Sequence, residues 1–191
     1  MYRIESFLAS RLFLSPQVVG ERIYFISNLS GKLSLYSMRH GGSVPEPLIP
    51  PHIAMQNPHL VGGRPFYVFP MLQKILVMLD RDGDENYQPM FIPMDGGFPE
   101  PAFEETFERT QVFLMCCDQD LNICYLVAAS RTEEVVRTYK ANLQTRTLQE
   151  IASSPYGKYP AANNSDQTKI ALVEGYSVGD GVLYLLEENQ P

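Results

Sequence analysis

The chain has 191 residues, of which 45% are apolar and 19% charged, with a formal net charge of −7. That length can bury a sizeable core, and the composition excludes a disordered chain or a fibre. The 15 basic residues are scattered singly, so neither nucleic acid nor a membrane surface is expected as a partner.

The N-terminus carries Arg3, Glu5 and Arg11 where a signal peptide needs an uninterrupted apolar core. The longest apolar runs, residues 75–79 and 121–129, are too short to cross a bilayer. A soluble, unexported chain is expected, and the odd set Cys116, Cys117 and Cys124 points to a reducing cytoplasm. Cys116 and Cys117 are neighbours, which on a strand face opposite ways, so the three thiols are read as small apolar packing residues rather than metal ligands.

A repeat organises the rest. Its first copy runs Ile23-Tyr24-Phe25-Ile26-Ser27-Asn28, through Leu35-Tyr36-Ser37-Met38 to Gly41-Gly42 and Pro45-Glu46-Pro47-Leu48. The second runs Ile75-Leu76-Val77-Met78-Leu79-Asp80, through Met90-Phe91-Ile92-Pro93 to Gly96-Gly97 and Pro99-Glu100-Pro101-Ala102. Ile23 and Ile75 are 52 residues apart and Gly41 and Gly96 are 55 apart, which predicts a three-residue insertion, Asp84-Glu85-Asn86, in the second copy. Weaker copies begin near Ile123 and Ile170.

Within each copy, β-branched and aromatic runs bounded by Gly, Pro, Asn and Asp read as strands. The run at each marked Ile is apolar almost throughout, as a strand buried on both faces must be. The glycine pairs are expected to supply positive φ for tight hairpins between third and fourth strands. Innermost strands are expected at residues 12–15, 66–69, 112–116 and 159–163.

A repeat of this length with four short antiparallel strands describes a β-propeller blade. The expected fold is an all-β, single partial propeller over residues 1–191, with four-stranded blades near 11–50, 64–103, 110–152 and 158–191, the last incomplete. Open edges of such an array invite pairing, so association into a homo-oligomer is expected.

Residues 25–31 with Leu35-Tyr36, and above all Asp80-Arg81-Asp82-Gly83-Asp84-Glu85-Asn86-Tyr87 followed by Met94-Asp95-Gly96-Gly97, resemble blades of the TolB-like propeller superfamily. More narrowly they are similar to the N-terminal propeller of prolyl oligopeptidase family serine peptidases, the acylaminoacyl-peptidase-like branch. The resemblance implies a non-catalytic portion that gates substrate access to an α/β-hydrolase domain, with that domain as partner and peptides as ligands. A stand-alone propeller that binds proteins or peptides is the alternative, and a metal-dependent propeller enzyme ranks last.

No catalytic, cofactor-binding or metal-binding residue is assigned. Gly175-Tyr176-Ser177-Val178-Gly179 satisfies G-x-S-x-G, but a second strand follows it instead of a helix, and His40, His52 and His59 all precede Ser177. The segment is read as a hairpin and the histidines as surface residues. Asp80, Asp82 and Asp84 alternate as in a calcium loop, yet Glu85 and Phe91 stand where an EF-hand needs Gly and Glu. The lengthened acidic loop, comprising Asp80, Arg81, Asp82, Asp84, Glu85 and Asn86, is left as the candidate contact with a partner or substrate.

Overall fold

A computed structural model describes residues 11–55, 58–59, 62–80, 83–104, 107 and 109–187. Apart from one 3-10 turn at Pro70–Leu72, its regular elements are strands. The first sheet holds β1 (Phe13–Val19), β2 (Arg22–Ser27), β3 (Ser34–Arg39) and β4 (Glu46–Pro47), and the second holds β5 (Phe66–Phe69), β6 (Lys74–Leu79), β7 (Gln88–Pro93) and β8 (Glu100–Pro101). The third holds β9 (Thr110–Asp118), β10 (Ile123–Ser130), β11 (Val136–Asn142) and β12 (Thr147–Ser154), and the fourth β13 (Tyr159–Asn163), β14 (Lys169–Ser177) and β15 (Asp180–Glu187). Each is an antiparallel meander in chain order, four strands wide in the first three sheets and three wide in the last. The array is an open, partial β-propeller, with β1 touching β5 and β9 touching β13.

Strand alternation explains how the apolar runs are used, because successive side chains point to opposite faces. On β6, Ile75, Val77 and Leu79 join Tyr24, Ile26, Leu35 and Phe66 in the core between sheets one and two. Leu76 and Met78 point the other way, into the core between sheets two and three with Phe91, Leu114, Cys124 and Leu126. A strand packed on both faces therefore has to be apolar at nearly every position. The third interface is thinner, its buried centre being Tyr125, Ile170 and Leu172.

Pairing register corrects the expected insertion. His40 N donates to Glu21 O as Met94 N does to Gln73 O, and Leu48 N donates to Leu35 O as Ala102 N does to Pro89 O. These bonds equate Gly42, not Gly41, with Gly96. Six residues (28–33) separate β2 from β3 and eight (80–87) separate β6 from β7, so the insertion is two residues. The glycine pairs also differ: Gly42 and Gly96 take φ of 98° and 89°, whereas Gly41 is outside the left-handed region. Neither pair makes a two-residue hairpin, since each turn is followed by further residues before the short fourth strand.

Three of the four innermost strands carry one extra residue against their neighbours, at Leu14/Gln17 on β1, between Leu114 and Cys117 on β9 and between Pro160 and Ala162 on β13. Such bulges sharpen local twist. On β1 the bulge holds Ser15 at φ 51°, immediately before Pro16.

Polar side chains clip neighbouring sheets together. Gln17 of β1 donates to Phe66 O (3.0 Å) and accepts from Val68 N (3.1 Å), satisfying β5 backbone on its free side. Gln88 donates to Thr110 O at 2.8 Å. Gln167 accepts from the Tyr125 hydroxyl (2.9 Å) and donates to Asp118 (2.8 Å). At the rim, Glu100 accepts from both Lys74 of its own sheet (2.6 Å) and Arg146 of the next (2.7 Å).

Candidate functional site

Of the six acidic-loop residues, Asp80, Asp84, Glu85 and Asn86 can be placed, while Arg81 and Asp82 lie outside the described residues. The loop's described second half is held by local hydrogen bonds. Asp84 accepts from the Asn86 backbone N–H at 2.9 Å and from its side-chain amide at 3.2 Å, and Glu85 takes φ 58°. Asn86 Oδ1 in turn accepts from Arg131 Nε at 3.0 Å, and Val112 N donates to Tyr87 O at 3.0 Å. One side of the loop base is thus committed to the third sheet. Burial pushes the Tyr87 phenol above its usual pKa, and the negative charges of Asp80, Glu85 and Asp84 push it further.

On the side facing the first sheet, Asp80 borders a cavity of about 570 Å³ whose wall includes Ile53, Leu79 and Met90. Phe98 also lines it, with 78% of its surface exposed. His52, Ile53 and Ala54, from the segment after β4, also line it. Ligand sites in proteins fall in this size range and share this mixture of apolar wall and few polar groups.

The other sequence candidates resolve simply. Residues 175–179 form the tip of the β14–β15 hairpin, with Ser177 paired to Asp180 and Gly179 at φ 88°. His40, His52 and His59 are exposed. Cys117 and Cys124 stand directly opposite each other on β9 and β10, which spacing along the chain did not suggest, and both are free thiols. Burial raises both, Cys117 well above the ordinary thiol value, which makes them poor nucleophiles. Near the same hairpin tip, the Glu174 carboxylate accepts from the Tyr176 hydroxyl (3.1 Å) and the Tyr184 hydroxyl (3.0 Å). A hydrogen bond from Ser154, with those from the two tyrosines, holds it below the usual carboxylate range.

A second exposed feature is the far face of the fourth sheet. Val173 pairs with Leu183 and Ala171 with Leu185, and these side chains point away from the third sheet. Leu183 and Leu185 are 69% and 64% exposed.

Propeller architecture, four consecutive meander blades and this uncovered flank are decisive for the fold. The chain has a β-propeller fold. Among solved structures, it aligns with a putative TolB from Agrobacterium tumefaciens at TM-score 0.61 and 14% identity, covering 93% of this chain and 58% of that one. An oligogalacturonate lyase in complex with manganese aligns at TM-score 0.66 and 10% identity, over 88% of this chain and 47% of that one. A Mycobacterium tuberculosis puromycin-hydrolyzing peptidase aligns at TM-score 0.57 and 16% identity, over 86% of this chain and 26% of that one. The chain spans a little over half of the TolB structure and about a quarter of the peptidase. Comparison with protein families and with curated proteins finds no match. The propeller fold thus occurs in proteins as different as a lyase and a peptidase, and the function has to be argued from this chain's own residues.

Proposed function

We propose that this chain is the non-catalytic propeller portion of a serine peptidase-like hydrolase, in which it covers an α/β-hydrolase domain and restricts the substrates that reach it. The observation that carries this reading is the coverage asymmetry: nearly all of this chain corresponds to about a quarter of a peptidase. The acidic-loop and glycine-turn pattern that resembles peptidase propellers supports it independently. The G-x-S-x-G segment is a hairpin between paired strands and supplies no nucleophile elbow. Localisation in the cytoplasm belongs to the same reading, supported by the odd number of cysteines.

The test is the natural reading frame together with its activity. A hydrolase domain encoded after residue 191 should cleave short peptides and spare long ones, and deleting the propeller should abolish that size limit. A frame that ends without any hydrolase domain, or a size limit unchanged by the deletion, removes the proposal. A stand-alone binding scaffold is the second reading, favoured by the cavity beside the acidic loop.

A further inference from the structure

The cavity between the 52–54 segment and β7 is built from two kinds of surface. Its wall of Ile53, Leu79 and Met90 is apolar, and Leu79 is 6% exposed, so the wall belongs to the core between the first two sheets. Asp80, Gln88 and His52 also line it, as does the exposed Phe98 ring. No Lys or Arg is among the described lining residues, and Asp80 is the one carboxylate.

Gln88 is already oriented. Both protons of its side-chain amide are used, on Asn86 O (3.2 Å) and Thr110 O (2.8 Å), so toward a ligand it offers only an acceptor. The lining therefore presents a carboxylate, an amide oxygen, the His52 imidazole and an aromatic ring, and the carboxylate, the amide oxygen and the ring face each attract a cation. The apolar wall would strip water from an aliphatic stem.

From this juxtaposition we propose that the cavity is a binding site for a lysine side chain of a peptide, its methylene stem along Ile53, Leu79 and Met90 and its ammonium at Asp80 and Phe98. Charge complementarity selects this occupant over an acidic or a neutral apolar one. The volume of about 570 Å³ accommodates a lysine side chain together with flanking backbone. A peptide docked there lies on the outer part of the propeller, in contact with the strand β7 and the linker between the first two sheets. The site is independent of any hydrolase domain, so it stands or falls separately from the reading above.

The test uses the 191-residue chain with carbon-13-labelled methionine methyl groups and follows the Met90 signal, identified with Met90→Leu. N-acetyl-lysine amide should shift that signal and saturate on the order of 1 mM, as the atom count of so small a ligand allows. N-acetyl-norleucine amide and N-acetyl-glutamate amide should bind several-fold more weakly. Asp80→Asn should weaken the lysine compound by roughly fivefold with the other methionine signals unmoved, the scale of one partly exposed charge pair. Phe98→Ala, a surface change that leaves the core intact, should weaken it as well. The proposal is overturned if Met90 does not respond, if the lysine and glutamate compounds bind equally, or if Asp80→Asn leaves the affinity unchanged.

Discussion

The second and fourth sheets begin from similar sequence material and end in different environments. On β6, Ile75, Leu76 and Val77 are fully buried, since sheets one and three cover the two faces. On β14 and β15, Ile170 and Leu172 are buried against the third sheet, but Val173, Leu183 and Leu185 face outward. The difference comes from neighbours, not from composition. A blade cannot bury two faces by itself, and in a stacked array each sheet derives much of its stability from the sheets beside it.

That comparison is open to direct attack by truncation. Leu76→Ala should cost about 2–5 kcal/mol, as a large-to-small change in a closed core does, whereas Leu185→Ala should cost about 0.5 kcal/mol or less. Urea unfolding followed by circular dichroism measures both. Equal losses would mean that the outward face is covered by something in solution.

Backbone approach gives the next effect. A Cβ at Gly63 would meet Leu114 O at 2.6 Å and would need φ near 84°, while one at Gly83, with φ 81°, meets nothing within 4 Å. Gly63→Ala should therefore destabilise by about 2–3 kcal/mol and Gly83→Ala by about 1 kcal/mol. A thermal midpoint lower for Gly83→Ala than for Gly63→Ala would contradict the tight contact of the second and third sheets there.

The uncovered flank predicts association. The chain should sediment as a dimer or larger species at micromolar concentration, and Leu183→Lys combined with Leu185→Lys should shift it to monomer without loss of secondary structure. A stable wild-type monomer would remove this expectation.

The smallest effect lies at the rim. Glu100→Gln breaks the ion pairs to Lys74 and Arg146 and should cost about 0.2–1 kcal/mol at neutral pH, the range of exposed pairs. The hydrogen bond from Lys74, with that from Arg146, lowers the Glu100 pKa on folding. Its contribution is therefore complete above the unfolded carboxylate value and fades as pH falls through the folded one. The difference between wild type and Glu100→Gln should shrink accordingly in acid. A gap that widens in acid would show that the pair does not act through charge.

Most of the fold was legible because its determinants are local. Apolar runs of strand length, glycine turns and the recurrence of both specify blades wherever they occur, and the innermost strands Phe66–Phe69 and Tyr159–Asn163 stand where the pattern put them. The candidate site was legible only in part. Composition drew attention to the acidic loop, but the same loop turns Asn86 toward Arg131 and leaves Asp80 on a cavity with Met90 and Phe98. Nothing along the chain marks Ile53 or Phe98, which reach the cavity from different connections.

By itself the amino-acid sequence determined the strand-and-turn rhythm, the four-fold repetition and the absence of an elbow around Ser177, since these depend on side-chain period and on what φ each residue tolerates. Tertiary structure decided the two-residue insertion, the bulges on three inner strands, the Gln17, Gln88 and Gln167 clips, the facing of Cys117 and Cys124, and the cavity beside Asp80. Each of these is a relation between residues of different strands or sheets. Pairing register and blade stacking bring such residues together, and distance along the chain carries no record of it.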